Sequence, residues 1–202
     1  MAVVKAAAAL LLLAGIVGFL YWFLACPCGR TPGGYLLGEE SQEVIADWSF
    51  VNEVTLCQLQ TRAFLLPHSI NLNCSSLEND LFIGCMNCEG KNWGAALTEQ
   101  GVARIRINNT VYPVNARRLM ATAEKDHAWL SSSIKAERAP GTPRPPDNIW
   151  WTFHLTSSLW SQIDAQQDRP KMISPALSPI KISTILSLRE CGYGWPILGT
   201  DV

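Results

Sequence analysis

The residues best suited to chemistry lie in the run TRAFLLPHSINLNCSSLENDLFIGCMNCEGKNW, from Thr61 to Trp93. It ends in Gly90-Lys91-Asn92-Trp93, a turn former followed by a lysine where a helix is predicted to begin. The first backbone N–H groups of a helix have no acceptor within it. Beside an ammonium group they make a natural phosphate site. Lys91 is therefore the first binding candidate, with Asn92 as a hydrogen-bonding neighbour. A lysine in a first helical turn is also an ordinary solvated residue, and the local sequence alone favours that plainer account.

Ahead of this turn stand Cys85 and Cys88, spaced as C-x-x-C, with Cys74 one strand earlier. Three accounts of them stay open: small buried side chains, a disulfide inside the loop or to Cys74, or a metal site shared with His68. The metal account lacks the second C-x-x-C or H-x-x-H of a firm zinc pattern. His68, after Pro67, is the nearest candidate for moving a proton, although a lone histidine flanking a strand is more often structural.

Short strands and two helices are needed to hold these groups. Val54 to Thr61 and Ser69 to Cys74 alternate apolar and polar residues, the period of half-buried strands, and Asp80 to Cys85 is a buried-type run. Lys91 to Gln100 is predicted as a helix ended by Gly101. Val102 to Ile107 and Thr110 to Ala116 alternate around Asn108-Asn109, which tolerates a left-handed turn, so a hairpin is expected there. Pro113 has no N–H for a ladder and is placed at an edge or bulge. Ala121 to Lys135 carries the best helix pattern, with Ala123, Ala128 and Leu130 as its apolar positions. A proline-rich loop spans 139–147, and Ile149 to Leu155 reads as a last strand. A short helix is expected from Glu39 to Asp47, without a capping box to start it. The class is mainly β (α+β): a small barrel with a few short helices.

One segment lies outside that domain. Ala6 to Ala25 holds no charged residue, and twenty residues at 1.5 Å rise match a hydrocarbon core of roughly 30 Å. Residues 1–25 are read as a single transmembrane anchor or uncleaved signal. Cys26 is a candidate for lipidation, because Phe23-Leu24-Ala25-Cys26 is a loose lipobox. Lys5 and Arg30 flank the segment evenly. The signal-like architecture nevertheless places the soluble part on the exported side. Residues 26–40 read as a linker, 41–156 as the domain and 157–202 as an irregular tail. The net charge of −1 gives no electrostatic support for nucleic-acid binding. Seven cysteines, an odd number, leave at least one outside any internal pairing.

The order of elements resembles a known family. Paired strands, a polar loop, the helix start Lys91-Asn92-Trp93, the strand VARIRI and the run VNARRL are similar to the flavin-binding split β-barrel superfamily. That superfamily includes pyridoxamine-phosphate-oxidase-like proteins and deazaflavin-dependent nitroreductases. The resemblance covers residues 41–156. It implies FMN or a deazaflavin as cofactor, with Lys91, Asn92 and Trp93 at its phosphate and Arg62, Ser69 and Asn71 along its ring. It also implies hydride or electron transfer and pairing as a homodimer. A different expectation is a non-catalytic accessory subunit of a larger membrane complex, with the span and the tail as contact surface.

Overall fold

The computed structural model describes residues 2–24, 27, 29, 31–63 and 66–159. Cys26 and the tail from residue 160 onward, including Cys191, lie outside the described residues. Helix α1 (Ala2–Leu24) carries almost all of its apolar side chains exposed, and by length and composition it is long enough to cross a membrane.

The domain is one curled sheet. Its strands are β1 (Glu39–Glu40), β2 (Cys57–Ala63), β3 (Leu66–Leu72), β4 (Cys74–Leu77), β5 (Asp80–Met86), β6 (Val102–Ile107), β7 (Thr110–Arg118) and β8 (Trp150–Ser157). Seven of them follow the order β3-β2-β6-β7-β8-β5-β4, all neighbours antiparallel, and β1 pairs in parallel with the start of β7. In a flat sheet β3 and β4 would stand about 29 Å apart, at roughly 4.8 Å per strand. Only Asn73 separates them in sequence, and one residue bridges at most about 7 Å between its neighbours' Cα atoms. The sheet must therefore curl until its two edges meet at Asn73. A disulfide between Cys57 and Cys74, the first residues of β2 and β4, secures that corner. Cys74 is thus bonded to Cys57 and not to the C-x-x-C.

Each edge is partly covered by other groups of the chain, which limits its pairing with further strands. The side-chain amide of Asn52 bonds the N–H and C=O of Ser76 in β4, each at 2.9 Å. Lys135 Nζ donates to the carbonyls of Cys74 and Val51. On the other edge, Gly33 exchanges both backbone hydrogen bonds with Ser69 of β3.

The curl encloses Leu59, Leu81, Ile83, Leu97, Ile105, Phe153 and Leu155. Helix α2 (Asn92–Gln100) adds Leu97 to this core and ends at Gly101, whose φ of 66° supplies the left-handed cap. Helix α3 (Thr122–Lys135) packs outside β4, β5 and β8 over Phe82, Leu119 and Trp150. Of its three expected apolar positions only Ala128 is buried; Ala123 and Leu130 are exposed. The loop 139–147 is pinned to α3 by Lys125–Asp147 and Arg144–Asp126 ion pairs and by Trp129 Nε1 donating to the carbonyl of Thr142.

Two local expectations are corrected. Glu39–Asp47 is not a helix: the Ser41 hydroxyl accepts from the Glu43 N–H, and the Glu39 N–H is taken by the Asn109 carbonyl. Pro113 sits inside the sheet. Its carbonyl accepts from Ser158 N, so its missing N–H also faces β8, one residue beyond the Val114–Ser157 pair where the ladder ends.

Candidate functional site

The candidates fall in two places. The first is the corner where β5 turns into α2. Asn87 takes the left-handed conformation (φ 50°), a 3-10 turn covers Cys88–Gly90, and Lys91 caps α2. A Cys85–Cys88 disulfide closes this turn, with both sulfur-bearing residues buried. Helix α2 lies against that sulfur through Gly94, where an added Cβ would collide with Cys88 Sγ. Lys91 and Asn92 are exposed at the helix start, while the Lys91 N–H is taken by the Cys88 carbonyl and the Gly94 N–H by the Lys91 carbonyl. Trp93 is not with them: it is 7% exposed and turned into the core, 6.2 Å from the Phe153 ring.

The second place is the outer face of β2, β3 and β6. Directly paired residues of antiparallel strands share a face. Gln58, Gln60 and Arg62 therefore stand beside Asn71, Ser69 and Pro67 of β3, and Arg106 and Arg104 of β6 stand beside Gln58 and Gln60. Arg62, Ser69 and Asn71 are thus brought together with one another but not with Lys91. Arg62 exchanges backbone hydrogen bonds with the side chain of Gln100, at the far end of α2 from Lys91. Nine residues of helix separate the two by about 13 Å. Asn71 is engaged with the chain that follows α1: it donates to the carbonyls of Pro27 and Gly29 and accepts from Gln58.

Residues 31–41, all but the last of them in the segment 26–40 expected to be a plain linker, lie across this face as a strap. It is held at Gly33–Ser69, then over β2 by Leu36 N donating to Gln60 Oε1 at 2.7 Å. Over β6, Arg106 Nη1 donates to the Leu37 carbonyl at 2.7 Å, and β1 then pairs with Thr110 and Val111. Leu36 and Val111 are fully buried by this cover. So is Arg104, at 5% exposure: its guanidinium meets Glu40 at 2.8 Å, Gln60 at 3.0 Å and the Tyr35 ring at 4.1 Å from its centre. Sequence reasoning missed Arg104, Gln60, Tyr35 and Glu40. The signal available was a pair of arginines at alternate positions of VARIRI, which reads equally as a solvated strand face.

His68 lies on β3 opposite Thr61 and is half-buried, and burial lowers the pKa of its imidazole from the ordinary histidine value. On the α3 side, His154 meets Asp80 at 3.1 Å, and His127 and His154 both pack on Phe82. Among the described residues no group of three or more His, Cys, Asp and Glu is placed to hold a metal ion.

No family model and no curated protein matches the chain. Solved structures do resemble it at low identity. A pyridoxamine 5'-phosphate oxidase candidate from Listeria innocua has 10% identity and a TM-score of 0.42, over 54% of this chain and 87% of that one. A FAD-binding protein from Mycobacterium smegmatis has 13% identity and a TM-score of 0.40, over 55% and 86%. An FMN-binding, pyridoxamine 5'-phosphate oxidase-related protein from Nostoc punctiforme has 19% identity and a TM-score of 0.36, over 55% and 72%. Overlaps of this size carry no functional argument on their own.

Proposed function

We propose that the chain is a membrane-anchored split barrel that binds a flavin or deazaflavin and works as an oxidoreductase. The observation that carries this reading is the outer face of β2, β3 and β6. It gathers Arg62, Arg104, Arg106, Gln58, Gln60 and Ser69 on one surface, where an ordinary barrel wall would be either apolar or fully wet. Such a face suits a planar ring with acidic and carbonyl edges, since guanidinium groups both stack and donate paired hydrogen bonds. Lys91 and Asn92 supply a phosphate site at the start of α2. When bound, the cofactor would supply the electron or hydride chemistry, and the protein's own groups would hold and orient it. The length and composition of α1 support the anchor, and two disulfides support an exported domain.

The visible absorption of the purified chain tests the cofactor. A colourless preparation that takes up neither added FMN nor a deazaflavin would sink the reading. Replacing Lys91 with Ala should weaken FMN binding at least tenfold, because a charge-assisted contact contributes about 1.5–3 kcal/mol. Unchanged affinity rejects that phosphate site.

A second reading, an accessory subunit of a membrane complex, draws on a different feature. Leu130 and Ile134 lie one turn apart on α3 and are 52% and 59% exposed, an apolar face with no cover among the described residues. Mass measurement after detergent extraction separates the two: copurifying partner chains favour the accessory role, and a single species counts against it.

A further inference from the structure

The strap holds to the barrel through contacts that have the character of ligand recognition. Arg104 is withdrawn from water, and a buried guanidinium needs its charge answered and its donors satisfied. An aromatic ring lies on it, one carboxylate meets it, and both groups belong to the strap: Tyr35 and Glu40. Gln60 Oε1 accepts from Arg104 and from the Leu36 N–H at once. Beside Gln60, Ser69 Oγ is fully buried and has no hydrogen-bond partner among the described residues, and neither has Gln58 Oε1. Buried hydroxyls are nearly always bonded. The face therefore offers more hydrogen bonds than the strap uses.

The strap's own attachments are short. One bridge at Gly33 and a two-residue pairing at Glu39–Glu40 hold its ends, against six and seven paired residues in the ladders of β5 with β8 and β2 with β3. Its start is also tied to α1, where Tyr35 N donates to the Phe23 carbonyl at 2.7 Å.

We infer that Tyr35 and Glu40 are internal stand-ins for the ring and the acidic group of a ring-bearing anion, and that Arg104, Gln60 and Ser69 bind such a ligand when residues 31–41 lift away. Strap and ligand are then mutually exclusive occupants of one face. Ligand binding releases residues 31–41 from the barrel and leaves Asn71, through Pro27 and Gly29, as a tie to the chain after α1, so the site reports on how the domain is held there. The inference rests on the reading above for the class of ligand, and it adds what keeps the site closed.

The test is FMN titration of the full chain in detergent, read by quenching of flavin fluorescence. Glu40→Gln and Tyr35→Ala should each raise FMN affinity at least tenfold, and adding Arg104→Gln to Glu40→Gln should remove the gain. Equal affinity in the wild type and the loosened variants, or a gain that survives loss of Arg104, overturns the inference. If no variant takes up FMN, the flavin reading fails by itself. The same series is then titrated with anilinonaphthalene sulfonate, a ring-bearing anion. An Arg104-dependent gain sustains the strap as internal occupant, and no gain refutes it. Hydrogen exchange serves as the control for folding: Gly33 and Ser69 amides should exchange faster in the loosened variants while β5 and β8 stay protected. Unaltered protection at Gly33 also counts against the inference.

Discussion

The corner at the start of α2 and the strapped face of β2, β3 and β6 both carry polar groups on an apolar barrel, yet they are assembled in opposite ways. At the corner the partners are close in sequence: Cys85 with Cys88, Lys91 N with the Cys88 carbonyl, Gly94 against the Cys88 sulfur. On the strapped face they are distant: Leu36 with Gln60 is 24 residues apart, Arg104 with Glu40 is 64 and Arg106 with Leu37 is 69. Local contacts cost little loop closure and persist as long as the turn does. Contacts between distant segments form only once the barrel stands, and a short segment held that way can open without unfolding the rest. One region is thus a rigid corner and the other a cover.

The largest effect expected on this contrast comes from the bond that closes the barrel. Replacing Cys57 and Cys74 together with Ala should cost about 3 kcal/mol for a loop of this size. Urea unfolding followed by tryptophan fluorescence would show it. A loss below about 1 kcal/mol would mean that the meeting of the sheet edges is secured by packing alone.

Gly94→Ala should follow at about 2 kcal/mol, because the new methyl overlaps a sulfur that its disulfide holds in place. The loss outweighs the gain of about 1 kcal/mol that Ala brings to a helix. A neutral or stabilised Gly94→Ala protein would show that the corner is softer than the contrast requires.

Gln60→Leu removes the acceptor shared by Arg104 and the Leu36 N–H and should cost about 1–2 kcal/mol. Its distinguishing mark is local: exchange at Gly33 and Leu36 should quicken by more than global stability falls. Uniform quickening across β5 and β8 would make the strap an integral part of the barrel.

The smallest effect is a slope with pH. Burial lowers the His68 pKa in the folded state, while the unfolded chain keeps the ordinary value of about 6.5. Between the two the unfolded state binds more protons. Stability from this group is therefore fully present above about pH 6.5 and is lost as pH falls towards the folded value. His68→Gln should flatten that part of the stability profile. An identical slope in the variant would show that the imidazole is as well solvated folded as unfolded.

Much of the fold was legible because its signals are short-ranged. VARIRI alternates, Asn108 tolerates the φ of 55° that its turn demands, and Gly101 ends α2 as its lack of a side chain allows. Half of the site was not legible, for a reason visible in Arg104 and Arg106. Strand periodicity says that a residue faces away from the core, but it does not say what will cover that second face. The cover comes from residues 31–41, whose glycines, proline and mixed polarity carry no period to announce it. Trp93 is the converse case: the family resemblance placed it at a cofactor phosphate with Lys91, but a helix rotates about 100° per residue, and the ring faces inward to Phe153.

The sequence by itself determined the apolar helix long enough to cross a bilayer, the mainly β domain with its hairpin and two helices, and an exposed lysine at a helix start. Each follows from composition or from a repeat within a dozen residues. The tertiary structure decided the closure at Asn73, the pairing of Cys57 with Cys74 and the burial of Arg104 under Tyr35 and Glu40. Those depend on which distant segments meet when the sheet curls, and that is set by the packing of the whole barrel and not by any local preference.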